Sequence, residues 1–207
     1  MKKSLLIVLF LSMSYYLMAQ ENEKEKQKEI GLVFSNLDNF GLTYKTGTEK
    51  SLWRFNTMVI SGDNIEENED NLLSTQNQLG FGVKIGKEYR KNIAENLDLR
   101  FGADLSFSYS HSENEYNDKT VNNSDRLREQ SIYRPGVNLV FGFNYKLSDN
   151  FVIGAELLPH FTYTTGSRTE TNYYTYQNDE VKTDISGFSY GLSNSPALLS
   201  LVYRFNK

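Results

Sequence analysis

Residues 97–109 alternate without a fault. Leu97, Leu99, Phe101, Ala103, Leu105, Phe107 and Tyr109 hold the odd positions, and Asp98, Arg100, Gly102, Asp104, Ser106 and Ser108 the even ones. A period of two sends successive side chains to opposite faces of a β-strand, so this segment has one apolar face and one polar or glycine face. Three more segments repeat the pattern. Pro135, Val137, Leu139, Phe141, Phe143, Tyr145 and Leu147 oppose Arg134, Gly136, Asn138, Val140, Gly142, Asn144 and Lys146. Leu79, Phe81, Val83, Ile85 and Tyr89 oppose Gln78, Gly80, Gly82, Lys84, Gly86, Glu88 and Arg90. Phe151, Ile153, Ala155, Leu157, Pro159, Phe161 and Tyr163 oppose Val152, Gly154, Glu156, Leu158, His160 and Thr162.

A soluble sandwich also alternates, but two features separate this chain from one. The apolar faces run for six or seven consecutive same-face positions, whereas ordinary strands average about 5–6 residues and a bilayer-spanning strand needs about 9–11. The opposite face mixes glycine with charges of both signs, as the packed interior of a small barrel would. Strands are expected near 30–36, 39–47, 51–61, 76–90, 97–110, 131–147, 151–166 and 184–205. They are joined by a tight turn at 35–39, short polar turns near 46–51, 91–96 and 148–150, and long polar loops near 62–75, 112–129 and 167–183. This predicts an all-β fold: an eight-stranded antiparallel transmembrane β-barrel with short periplasmic turns and longer extracellular loops. In the last strand Phe188, Tyr190 and Leu192 are even but Leu199, Leu201, Tyr203 and Phe205 are odd. The parity flips around residues 193–196, by a bulge or by a division into two strands. The bulge is favoured because it keeps the C-terminus on the periplasmic side.

The address follows from the start of the chain. Lys2 and Lys3 precede an apolar run of 14 residues, Leu5 to Met18 (18 − 5 + 1), too short to span a bilayer and suited to a signal peptide cut near Ala19. An uncleaved anchor is the alternative, disfavoured because no stop-transfer pattern follows. The domains read as 1–19 signal peptide, 20–29 flexible polar leader and 30–207 outer-membrane β-barrel. Without Lys2 and Lys3, 20 basic residues (22 − 2) face 26 acidic ones, a net charge of −6, which argues against a nucleic-acid partner. The chain has no cysteine, so it forms no disulfide, no thiolate metal site and no lipid-modified N-terminal Cys.

The end of the chain carries a resemblance. Leu199, Leu201, Tyr203 and Phe205 alternate and close on an aromatic, and so resemble the C-terminal signal by which outer-membrane barrels are recognised for assembly. Asn206 and Lys207 follow, where the usual signal ends on Phe. Together with the AQ at the signal-peptide end and KTGTEKSLWRF at 45–55, the chain resembles the small barrels of the OmpA/OmpX type. It is most similar to the "outer membrane beta-barrel protein" family of Bacteroidota. The resemblance implies a location in the bacterial outer membrane, with lipid and the barrel-assembly machinery as partners and Leu201, Tyr203 and Phe205 as the assembly signal.

The inward faces offer Arg54, Lys84, Glu88, Arg90, Asp98, Arg100, Asp104, Lys146, Glu156, His160 and Arg204. Pairing Glu156 or Asp104 with His160 would be the catalytic reading. Glu156 and His160, four residues apart on one strand, are about 13 Å apart along it and share neither a metal nor a proton. His111 sits at an outer strand end, and GxSxG, HExxH and P-loop motifs are absent. The charges therefore read as a structural polar network filling the lumen, with no cofactor, no metal site and no enzyme activity. Trp53, Tyr145, Tyr203 and Phe205 at one end, and Phe107, Tyr109, Phe161 and Tyr163 at the other, read as aromatic girdles. Function is expected in the long loops, through surface contact or adhesion with an extracellular ligand. Asp63, Glu66, Glu67, Glu69 and Asp70 offer weak cation attraction there, and Tyr173, Tyr174 and Tyr176 offer contact chemistry. The alternative functions are a narrow porin-like channel or small-ligand port and, further off, a lipid-modifying barrel enzyme using His111.

Overall fold

The computed structural model describes residues 26–34, 40–69, 72–118, 124–173, 178–192 and 198–205. The segments read as signal peptide, the tight turn at 35–39 and the parity change at 193–196 lie outside these residues. Ten strands account for nearly all of the rest: β1 (Gln27–Phe34), β2 (Phe40–Thr48), β3 (Ser51–Glu69), β4 (Leu72–Ala94), β5 (Leu97–Asp118), β6 (Ser124–Lys146), β7 (Phe151–Leu157), β8 (Pro159–Tyr173), β9 (Asn178–Leu192) and β10 (Leu198–Phe205). β1 starts inside the segment read as leader, at Gln27.

All pairings are antiparallel, and eight strands close a ring: β1 to β6 in sequence, then β7, then β10, which pairs back onto β1. Closure is what a membrane demands, because every backbone N–H and C=O in the hydrocarbon must find a partner within the protein. Where periodicity predicts eight segments there are ten, and each extra one has a local cause. β7 and β8 share one register with β6 (Phe141↔Leu157, Asn138↔His160), so they are one wall interrupted beside Pro159, which has no N–H to give to a ladder. β9 and β10 lie along that same wall, but the register moves: Pro159 faces Leu192 whereas Glu156 faces Leu198. Three residues back on one strand are matched by six forward on the other. The three-residue excess is odd, which turns Phe188 and Tyr190 outward from even positions and Leu199 and Leu201 outward from odd ones.

The registers also fix the tilt. Gln27 leads through Gly47, Leu52, Glu88, Gly102 and Val140 to the level of Leu158. The offsets of the β7–β10 and β10–β1 pairings, carried on in the same way, bring this row back to the line of β1 about ten residues above its start. A shear of ten on eight strands corresponds to a tilt of about 40°, inside the usual barrel range.

The long polar loops expected near 62–75, 112–129 and 167–183 are mostly strand. β5 runs for 22 residues and β6 for 23, roughly 70 Å along the strand and about 55 Å along the axis at that tilt. The hydrocarbon needs about half of that. Above the ring, β3, β4, β5, β6, β8 and β9 therefore continue as a six-stranded wall outside the membrane band. Apolar alternation ends where this wall leaves the lipid, which is why periodicity alone ends the strands too early.

The outward face of the ring is apolar and banded by aromatics. Tyr109 packs on Phe81 and Tyr133, and Tyr163 on Phe188, at the upper end. Tyr89 packs on Phe101, Tyr203 on Phe151 and Phe205, and Lys87 lies over Trp53 at the lower end. Phe101 and Tyr109 are eight residues apart on β5, about 20 Å along the axis, which matches a lipid-facing band about 25 Å tall. Leu105 lies midway and is 69% exposed in the isolated chain. Leu105→Arg is expected to cost about 2–4 kcal/mol in urea unfolding from phospholipid vesicles, whereas Thr169→Arg on the same outward face of the upper wall should stay within about 0.5 kcal/mol. Equal costs would misplace the lipid band.

Candidate functional site

Inside the ring the side chains form one connected ion network. Glu88 is its hub: its carboxylate takes Lys45 Nζ at 2.8 Å, Arg90 Nε at 2.7 Å and Arg54 Nη1 at 3.3 Å, with Arg100 Nη1 at 3.8 Å. Arg54 then clamps Glu156 with both terminal nitrogens at 2.9 Å, and its Nε lies 3.2 Å from Asp104. Arg100 also donates to Glu156. At the lower end, Arg90 makes a two-pronged contact with Glu29 at 2.7 Å, and Arg204 adds a third donor at 3.1 Å. Glu29, Arg54, Glu88, Arg100 and Asp104 are each 1% exposed or less. The network spans the lumen from β1, β2 and β3 through β4 and β5 to β7 and β10.

Alternation explains why these side chains meet. Each faces inward because its strand neighbours, such as Phe55 beside Arg54 or Phe101 beside Arg100, face lipid. Glycine makes room at the tightest point: a Cβ on Gly86 would fall 2.2 Å from Asp104 Oδ1, so the carboxylate lies over the glycine. Buried charges survive only when paired and hydrogen-bonded, and the ring supplies opposite charges at matching heights.

Of the residues picked out by sequence, Arg54, Glu88, Arg90, Arg100, Asp104, Glu156 and Arg204 join this network. Asp98 sits apart at the lower mouth, with Lys146 at 3.6 Å and Asn92 at 3.1 Å, beside a recess lined by Glu49, Lys50, Arg90 and Lys91. Lys84 and His160 face the lumen above the network, ion-paired with none of its carboxylates. Leu201, Tyr203 and Phe205 all face outward on β10. Glu29 and Lys45 join the network although sequence reasoning missed them. Glu29 ends a charged run that resembles a leader, and Lys45 stands beside the TGT turn. The signal was parity: both oppose apolar faces, Ile30 and Leu32 in one strand, Leu42 and Tyr44 in the other.

Above the lipid band the wall is held by polar cross-strand contacts. Arg128 meets Glu170 at 2.7 Å, Arg126 Nε donates to Asn172 at 3.0 Å, Arg168 Nε to Gln130 at 2.9 Å and Arg134 to Ser110 at 3.1 Å. These all lie on the inward face. On the outward face Glu113 stands directly opposite Glu129, with Glu115 and Asp125 nearby. His111 Nδ1 lies 3.0 Å from Ser131 Oγ. Asp63 and Glu67 point to one face of β3 and Glu66 to the other, so these three do not converge on a cation. The Glu69 and Asp70 side chains lie outside the described residues. No grouping of three His, Cys, Asp or Glu fit for a metal occurs among the described residues.

A family model described as "Putative OmpA-OmpF-like porin family" matches residues 65–190. Three solved structures are similar at low scores. A major outer membrane protein from Thermus thermophilus has a TM-score of 0.44 and 8% identity, covering 87% of this chain and 100% of that one. CarO of Acinetobacter baumannii has a TM-score of 0.34 and 13% identity, covering 87% and 96%. Ail, the attachment invasion locus protein of Yersinia pestis, has a TM-score of 0.34 and 16% identity, covering 88% and 99%. No curated protein matches.

Glu88→Gln strips charge from the hub while keeping its shape. It should lower unfolding free energy in vesicles by about 3–5 kcal/mol, the cost of leaving buried cations unpaired. Adding Lys45→Met to Glu88→Gln should recover part of that loss. A single variant with wild-type stability would contradict the network.

Proposed function

This chain belongs to the putative OmpA-OmpF-like porin family, and from that premise we propose that it works as a closed outer-membrane barrel rather than an open pore, presenting its upper wall for surface contact. The ion network carries this reading. An eight-stranded barrel is just wide enough to be filled by side chains, and here bidentate arginine pairs span it. In this reading the chain catalyses no reaction, and the barrel wall is a scaffold.

Glu113 and Glu129, directly opposed on the outward face, support the surface-contact part. Like charges in that position destabilise a sheet. A wall that keeps them, beside Glu115 and Asp125, suits a cationic partner surface. A second reading, the narrow channel, draws on the porin family and on the recess at the lower mouth.

Planar-bilayer recording separates the two. The wild-type chain should give no steady single-channel current, and Glu88→Ala combined with Glu156→Ala, which removes the anionic half of the network, should give openings. Steady currents in the wild-type chain, unchanged by that double variant, would establish the channel instead. For the wall, Glu113→Gln with Glu129→Gln should weaken retention of cells displaying the chain on a poly-lysine surface, while leaving the barrel as stable or more so. Unchanged retention would remove the wall from the account.

A further inference from the structure

Between its two aromatic girdles the lipid-facing side of the ring carries, among the described residues, a single charge: Lys87. Its neighbours on the same face of β4 are Ile85 above and Tyr89 below, both exposed, and Tyr89 belongs to the lower girdle. Lys87 therefore stands one step inside the lipid band. An ammonium so placed ordinarily runs its stem along the surface to the nearest water. Lys87 instead turns sideways across the ladder: it is paired with Trp53 of β3, and its Nζ lies over that indole, 5.0 Å from the ring centroid. Among the described residues it forms no ion pair and no hydrogen bond, so its N–H donors are unspent.

The rim beneath is basic, which is an independent feature. Lys28 shares the outward row of Trp53 through Thr46, about 10 Å away across two strands. Lys91 lies on the same face of β4 as Lys87, four residues lower and about 13 Å along the strand. Both are exposed. Lys26 and Lys50 add to this side of the rim, against Glu49 and Glu95 in the turns, and Glu49 is 3.6 Å from Lys146 Nζ. On the other side of Lys87, Ala103 is the smallest outward side chain of β5, so the ammonium is approachable from the lipid.

We propose that Trp53 and Lys87, with Lys28 and Lys91 beneath, form a binding site for the phosphate of an anionic glycerophospholipid in the periplasmic leaflet. The short turns put this end of the barrel on the periplasmic side. The indole, with its apolar body and one polar edge, sits at headgroup depth and holds the ammonium there. The phosphate accepts the unspent N–H donors in charge-assisted hydrogen bonds. The rim lysines then favour a lipid of net negative charge over a zwitterionic one. The inference rests on the barrel's place in the membrane, and not on a closed lumen or on what the wall contacts.

Trp53 is the only tryptophan of the chain, so its fluorescence reports the lipid beside it. The full chain is refolded into phosphatidylcholine vesicles, with folding of each variant checked by heat-dependent gel mobility. Phosphatidylglycerol brominated near the headgroup end of its chains should quench wild-type Trp53 severalfold more than phosphatidylcholine brominated likewise, at equal mole fraction. Each variant's quenching by the phosphatidylcholine is its own reference. Lys87→Met should erase the preference, Lys87→Arg should keep it, and Lys28→Met with Lys91→Met should reduce it. High salt should weaken the preference without removing it, because a hydrogen-bonded contact is screened less than a diffuse field. If Lys87→Met does not fold, Lys87→Gln decides in its place. Equal quenching by the two lipids in the wild type would overturn the proposal, as would a preference that loss of the Lys87 charge leaves intact or that salt abolishes entirely.

Discussion

The pairing of Arg54 with Glu156 and of Glu88 with four cations is the interaction on which the rest of this barrel depends. A ring of eight strands leaves an interior that must be filled, and its lower half is filled with charge. Each of those charges would be ruinous alone in such an interior. Together they hold strands far apart in sequence at fixed heights: Arg54 of β3 and Glu156 of β7 are 102 residues apart, and Glu29 of β1 and Arg204 of β10 are 175 apart. The second pair spans the seam where the ring closes, next to the Lys28↔Phe205 pairing. Matching charge therefore helps specify which strands meet and in what register, a task that the sequence-tolerant lipid face cannot perform.

Lipid imposes the complementary constraint. With hydrocarbon outside, the apolar face gains nothing from being buried within the protein, so Leu, Ile, Val and Phe point outward and polarity moves in. The same inversion sets the limits of the ring. Where Tyr109, Tyr133 and Phe188 end the band, water replaces lipid, the outward face turns to Glu113, Thr169 and Asp184, and the strands continue on polar contacts such as Arg128 to Glu170. One set of strands thus meets two solvents, and the change of solvent rather than any break in the backbone separates barrel from wall.

The membrane-spanning part is legible in the sequence because lipid enforces strict alternation there: Arg100, Asp104 and Glu156 can be assigned to the lumen from parity alone. Three things are not legible. The wall reads as loops because Thr169, Thr171 and Tyr173 are good strand formers with no apolar partner face, and periodicity carries no signal when both faces are wet. Glu29 escapes notice because its strand opens inside a charged run that looks like leader. The split of Asp98, Lys84 and His160 from the main network depends on height around a tilted ring, set by the shear, which no single strand encodes. The parity change before Pro196 is visible, and the three-residue register excess between β9 and β10 accounts for it.

The most direct test of the whole account is the mobility of the chain from an outer-membrane fraction on a denaturing gel, unboiled against boiled. A closed barrel locked by buried ion pairs resists the detergent until heated. It should run at a different apparent mass before boiling, and the Glu88→Gln, Glu156→Gln double variant should lose that difference at a lower temperature. A chain recovered from the soluble periplasmic fraction, with one mobility before and after boiling, would contradict it.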